Sequence, residues 1–165
     1  MTRSHAVYPG SFDPVTYGHL DLIERALRIF DKVTVAVAKN VGKDPLFTVQ
    51  ERVAMIQEAT RSLKGVEVDA FEGLVVDYVK KKKSCVVIRG LRMISDFEYE
   101  FQMALTNRKL NDRVETIFLM PSENYAYLSS RLIKEAAGLG AKVTDFVPPF
   151  VEKRLKEKLA HAKRS

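Results

Sequence analysis

The sequence is poor in several features, and each shortage removes a class of protein. It has one cysteine, Cys85, among 165 residues. No intrachain disulfide can form, and a reducing, cytoplasmic setting is expected. No apolar stretch approaches the roughly 18–20 residues of a membrane span. Met1-Thr2-Arg3-Ser4-His5 leads into only a short apolar run, so no secretory signal is expected. There is no internal repeat, no low-complexity segment and no linker that would divide two domains. One domain over residues 1–165 is expected, with a basic helical tail from about residue 150.

What is present is a balanced globular composition, 46% hydrophobic and 29% charged. The net charge of +6, from 27 Lys+Arg against 21 Asp+Glu, favours anionic partners without choosing among nucleic acid, acidic membrane and phosphorylated metabolites. Much of that charge lies in Lys80-Lys81-Lys82-Lys83 and in the tail from Lys153 to Arg164, both read as solvated helix faces. The basic residues are dispersed and not interleaved with aromatics on one element. That argues against a nucleic-acid module, and no nucleic-acid or membrane partner is expected.

Short β-rich runs at 5–9, 32–38, 66–71, 85–88 and 115–120 alternate with amphipathic segments. Cys85-Val86-Val87-Ile88 is apolar at consecutive positions, as suits a strand covered on both faces. Leu20, Ile23, Leu27 and Phe30 recur at helical spacing, as do Val49, Val53, Ile56 and Leu63. Thr48-Val49-Gln50-Glu51 has the form of a capping box. Another helix is expected over 96–109 with Phe97, Phe101 and Ala104 toward the core. Further helices follow Ser129 and Pro148-Pro149. The alternation predicts an α/β fold, a Rossmann-like doubly wound parallel sheet. Ligands in such sheets bind beyond the carboxyl ends of the strands.

Four loops at those ends carry the chemistry. The first is Tyr8-Pro9-Gly10-Ser11-Phe12-Asp13-Pro14-Val15-Thr16-Tyr17-Gly18-His19, joining the first strand to the first helix. Gly10 is read as allowing a tight turn and Gly18 as allowing close approach of a ligand. His19 falls in the first helical turn, where free N–H groups and the helix dipole favour an anion. The second, 39–47, carries Lys43 in Gly42-Lys43-Asp44-Pro45; Gly-Lys is followed by Asp, so it is not a Walker A loop. The third is Ile88-Arg89-Gly90-Leu91-Arg92, whose arginines offer forked donors to phosphate. Asp96 and Glu100 follow on one helix face, where a ribose hydroxyl, an arginine or a metal would offset their repulsion. The fourth runs from Pro121 to Arg131, with Ser129 and Ser130 opening a helix suited to a triphosphate. No persuasive Ser/His/Asp or Cys/His arrangement and no dedicated metal cluster is apparent.

Thr16-x-Gly18-His19 in this setting resembles the His/Thr-x-Gly-His signature of the nucleotidylyltransferase superfamily. With Arg89-Gly90-Leu91-Arg92 and Asp96-Phe97-Glu98-Tyr99-Glu100, the whole is similar to bacterial phosphopantetheine adenylyltransferases over about residues 6–150. The resemblance implies AMP transfer from ATP to 4′-phosphopantetheine, with Mg2+ accompanying ATP. It implies acceptor contacts at Ser11, Lys43, Val75 and Arg89, with Leu74 beside Val75 along the pantetheine arm. ATP contacts fall at Ser11, Phe12, His19, Gly90, Leu91, Arg92, Glu100, Tyr125, Ala126, Tyr127, Leu128, Ser129, Ser130 and Arg131. His19 stabilises the transition state, with Ser11, Lys43 and Arg92 completing the catalytic set. A homohexamer and coenzyme A as a feedback inhibitor are likewise implied. Ser11 stands where many members carry threonine, Tyr125 where some carry tryptophan, and Arg131 where others carry serine. Readings that compete are a relative adenylating nicotinamide mononucleotide, one transferring CMP to a phosphorylated alcohol, and a nucleotide-binding regulator without catalysis.

Overall fold

Alternate residues of the first strand, β1 (His5–Gly10), enter two different apolar clusters: Ala6 and Tyr8 join one, Val7 the other. A strand reading as continuously hydrophobic is thereby buried on both faces, as a central parallel strand requires. The computed structural model describes residues 4–39, 42 and 44–162. After β1 come α1 (Tyr17–Leu27), β2 (Lys32–Ala38), α2 (Val49–Thr60), β3 (Val66–Phe71), α3 (Val75–Lys81), β4 (Val86–Gly90), α4 (Ile94–Leu110), β5 (Glu115–Leu119), α5 (Ser130–Gly138) and α6 (Pro149–Ala162). A short 3₁₀ turn at Glu123–Tyr125 precedes α5.

The strands form a five-stranded sheet in the order β3-β2-β1-β4-β5, all neighbours parallel. The chain winds outward from β1 through β3, then crosses to β4 on the other side of β1. The crevice between the carboxyl ends of β1 and β4 is therefore the point where strand order reverses, the usual ligand position in such sheets. The larger core packs Val33, Val35 and Val37 of β2 against Ile23 of α1, Ile56 of α2, Ile133 of α5 and Leu155 of α6. Each fully buried side chain of this kind contributes about 1.5–3 kcal/mol. The smaller core places Val76 and Val79 of α3 against Val7 and Val87.

The expected capping box at the start of α2 forms, with Thr48 Oγ1 accepting from Glu51 N at 3.2 Å and Glu51 Oε2 accepting from Thr48 N at 2.7 Å. The basic tail is a docked helix: Val151 and Leu155 are fully buried, and Lys158 pairs with Glu51 at 2.9 Å.

Several expectations are corrected. Phe97 and Phe101 do not face the core; they are 46% and 47% exposed, while Glu100 and Asn107 are the buried residues of α4. The stripe Ile94, Phe97, Phe101, Leu105 has helical spacing, but the face turned inward is the neighbouring one, where Glu100 pairs with Arg89. The strand expected from residue 85 starts at Val86 and continues through Arg89 and Gly90, because Arg89 pairs with Phe118 and Gly90 with Leu119 of β5. Cys85 is exposed. The lysine run is not a uniformly solvated face. Lys82 lies beyond the end of α3, half-buried between Glu67 at 2.6 Å and Asp69 at 2.7 Å. Helix α1 stops before Phe30, and α2 stops before Leu63, though both side chains still pack on the larger core.

Candidate active site

At the entrance to α1, sequence chooses both the fold and the chemistry. Thr16 has extended backbone (φ −124°, ψ 167°), and its hydroxyl accepts from His19 N at 3.3 Å, capping the helix. In return Thr16 N donates to His19 Nδ1 at 3.0 Å. A backbone N–H can only donate, so Nδ1 must carry a lone pair, and the neutral ring holds its proton on Nε2. Burial, reinforced by the positive charges of Arg92 and Arg89, pushes the His19 pKa down to about 4. The imidazole is thus neutral near pH 7 and donates through Nε2 alone. Phe12 holds its ring edge-on at a centroid distance of 4.9 Å.

The turn before α1 differs from expectation. Its left-handed residue is Phe12 (φ 50°), not Gly10. Gly10 is needed for room, because a Cβ there would lie 2.9 Å from the Phe12 ring. A Cβ on Gly18 would make only ordinary contacts, Thr16 Oγ1 at 3.4 Å and Tyr125 O at 3.5 Å, so the protein's own packing does not demand glycine there. The Tyr17 N–H donates to Phe146 O at 2.9 Å and the His19 N–H to Thr16. What this helix start offers an anion is therefore mainly its dipole and the imidazole. The start of α5 is more open. Ser129 occupies the N-cap position without a side-chain cap bond, and Ser130 Oγ donates instead to Pro14 O at 2.8 Å. Among the described residues the amides of Ser130, Arg131 and Leu132 find no acceptor, which leaves donors suited to phosphate oxygens.

Asp96 and Glu100 of α4 are each met by an arginine, the second of the three ways of offsetting their repulsion. Arg89 Nε donates to Glu100 at 2.7 Å, Nη2 makes a second short contact with the same carboxylate, and Nη1 donates to Pro9 O at 3.0 Å. Arg92 Nε reaches Asp96 at 3.3 Å, and its Nη1 donates to Leu128 O at 2.6 Å. The arginines are therefore oriented before any ligand arrives. Gly90 between them is required by packing, since a Cβ would sit 2.4 Å from Leu22 Cδ1 of α1. These groups line a cavity of about 310 Å³ at the reversal point of the sheet.

A cytidylyltransferase-like family model matches residues 7–136. A phosphopantetheine adenylyltransferase from Caldanaerobacter subterraneus is 58% identical over 153 residues, covering 93% of this chain and 96% of that protein. One from Geobacter sulfurreducens is 55% identical, covering 97% of this chain and 98% of its own. The chain belongs to the phosphopantetheine adenylyltransferase family. Among solved structures, a protein assigned as a nicotinate-nucleotide adenylyltransferase from Vibrio parahaemolyticus aligns with a TM-score of 0.72 at 16% identity, covering 93% of this chain and 99% of that chain. That likeness concerns the fold alone.

Of the residues that the phosphopantetheine adenylyltransferase signature singles out, Ser11, Phe12, His19, Arg89, Gly90, Arg92, Glu100, Tyr125, Leu128, Ser129, Ser130 and Arg131 line the cavity together. Leu91, Ala126, Tyr127 and Val75 are not in that lining. Val75 packs on the smaller core at the start of α3, and Leu74 beside it is 54% exposed. Lys43 lies outside the described residues. The sequence reading missed the supporting groups. Asp21 accepts from Ser122 N at 2.7 Å and Ser122 Oγ at 2.6 Å, fastening the loop before α5 to the helix that carries His19. Asp13, buried, accepts from the amides of Leu46 and Phe47 at 2.9 Å each and pairs with Lys134 at 2.6 Å. Its place in the first loop was visible; its partners were not.

Proposed function

We propose that the protein transfers AMP from ATP to the phosphate of 4′-phosphopantetheine, releasing pyrophosphate and forming dephospho-coenzyme A. The observation that carries this reading is a neutral histidine, locked as the Nε2–H tautomer, in a cavity with oriented arginines, in a chain of this family. The acceptor phosphate is already ionised at neutral pH, so no side-chain nucleophile is required. It attacks the α-phosphorus in line as the bond to pyrophosphate breaks. Catalysis comes from positioning and from donors aimed at the charge that builds.

In this mechanism His19 Nε2–H and the Ser11 hydroxyl donate hydrogen bonds to α-phosphate oxygens, and a neutral imidazole, which keeps its Nε2 proton, suits a transfer that needs no proton. Arg92 and the start of α5, with Ser129, Ser130 and Arg131, hold the β- and γ-phosphates. Arg89 and Lys43 hold the acceptor phosphate, and Glu100 keeps the Arg89 fork in plane. Tyr125 and its loop border the nucleotide. Mg2+ is expected with ATP, where it neutralises phosphate charge. Among the described residues no cluster of three or more potential ligands occurs, and Asp96 and Glu100 are engaged by arginines. On this reading phosphates and water would hold most of the ion's coordination sphere.

Coenzyme A shares the pantetheine and adenosine parts of the product, which supports feedback inhibition at the same cavity. The proposed homohexamer rests on the family, and the apolar face of α4, with Ile94 91% exposed, supports self-association. No described helix is long and apolar enough to cross a membrane; a cytoplasmic location is proposed. The test is dephospho-coenzyme A formation, followed by chromatography, in the parent and in His19→Ala. A folded His19→Ala protein should lose about 10²–10³ in turnover, or about 2.7–4 kcal/mol of barrier. Near-normal turnover would remove His19 from the mechanism.

A further inference from the structure

Arg52, near the start of α2, is fully buried, and among the described residues its hydrogen-bond acceptors are three backbone carbonyls. Burying a guanidinium is costly, and its charge lies among carbonyl oxygens with no carboxylate bonded to it. Desolvation lowers its pKa, with the charge of Asp13 opposing that shift. Such a cost is usually met only where several acceptors converge. Here Nε donates to Phe47 O at 3.1 Å, while Nη1 donates to Ser11 O at 2.7 Å and to Ala38 O at 3.0 Å. Nη2 is buried and, among the described residues, has no acceptor.

The positions of those carbonyls matter more than their number. Ser11 is the cavity residue just before the left-handed Phe12. Ala38 is the last residue of β2, and Phe47 immediately precedes the Thr48 cap of α2. Ala38 and Phe47 bracket the connection that, on the functional reading above, brings Lys43 to the acceptor phosphate. One planar fork therefore binds both ends of the acceptor-side connection to the backbone of Ser11. We infer that Arg52 is a positioning residue: it sets the Ser11 loop and the β2–α2 connection in register for the acceptor phosphate, without touching substrate.

This rests on the proposed adenylyl transfer, so the test is built to separate the two. Arg52→Lys keeps a buried cation but replaces the planar fork with a compact ammonium that cannot reproduce the three bonds. Arg52→Gln keeps a planar donor without charge and serves if the lysine variant does not fold. Met55→Ala, in the same helix and fully buried in the larger core, supplies a comparably destabilised control that makes none of these hydrogen bonds. Kinetics are run well below each variant's unfolding midpoint, and binding of ATP and of 4′-phosphopantetheine is measured by calorimetry. The inference predicts that Arg52→Lys loses at least about tenfold in kcat and weakens 4′-phosphopantetheine binding about tenfold. Its ATP affinity should change less than threefold, and Met55→Ala should behave as the parent. Parental kinetics and acceptor affinity in a folded Arg52 variant would overturn it. So would equal losses for both substrates matched by Met55→Ala, which would make Arg52 purely structural. An inactive parent would overturn the functional reading, and with it this inference.

Discussion

Lowering the pH should leave His19 uncharged long after an ordinary histidine has titrated. The structure gives a pKa near 4, against a reference of 6.5. By simple titration, about 1% of His19 is protonated at pH 6, against about three-quarters of an unperturbed histidine. The linkage sign follows from the folded pKa being depressed. Between about 6.5 and 4 the unfolded chain binds more protons than the folded one, so stability falls as pH drops through that window and is fully retained above it. At 1.36 kcal/mol per pKa unit the whole span amounts to about 3 kcal/mol. The assay is nitrogen-15 NMR of the imidazole rings from pH 8 to 4.5, with His5→Gln and His161→Gln used for assignment. His19 should show an unprotonated Nδ1 and a protonated Nε2 throughout most of the range. A ring titrating near 6.5, or a proton on Nδ1 in the neutral form, would refute the claim that the Thr16 amide sets the tautomer.

Three further outcomes are expected. Gly90→Ala should destabilise the fold by about 1–3 kcal/mol, seen as a lower denaturant midpoint, because Leu22 is buried and has little room to yield. Asp21→Asn should raise the KM for ATP more than that for the acceptor, because it loosens Ser122 and the loop that follows; initial rates at varied ATP will show this. Phe97→Glu combined with Phe101→Glu should shift the protein toward smaller species in sedimentation velocity while leaving its circular dichroism unchanged, since both rings are exposed on the single chain.

Local rules carried the sequence reading a long way. Consecutive apolar residues in β1, β2 and β4 specify burial on both sheet faces, and the Thr48–Glu51 box sets the start of α2 within the chain's own neighbourhood. Ser11, His19, Arg89, Arg92 and Ser130 are likewise legible because each lies at or beyond the carboxyl end of a strand, and parallel winding brings those ends together. What escaped were long-range choices. The α4 stripe has a helical period in either orientation, and the face turned inward carries Glu100, paired with Arg89, and Asn107. Arg52 carries no local signal of burial, because two of its three carbonyl acceptors, Ser11 O and Ala38 O, come from other elements of the chain. Gly10 and Gly90 look like flexible turns, yet both are small because Phe12 and Leu22 occupy the space. Val75 follows a strand end too, but β3 is the far edge of the sheet, and Val75, the first residue of α3, packs against the smaller core.

The most direct test of adenylyl transfer to 4′-phosphopantetheine is pyrophosphate release from magnesium-ATP by the purified protein, with 4′-phosphopantetheine and nicotinamide mononucleotide offered separately. Release with 4′-phosphopantetheine alone is the predicted result. Release with the mononucleotide alone would contradict the acceptor assignment, and no release from folded protein would contradict catalysis itself.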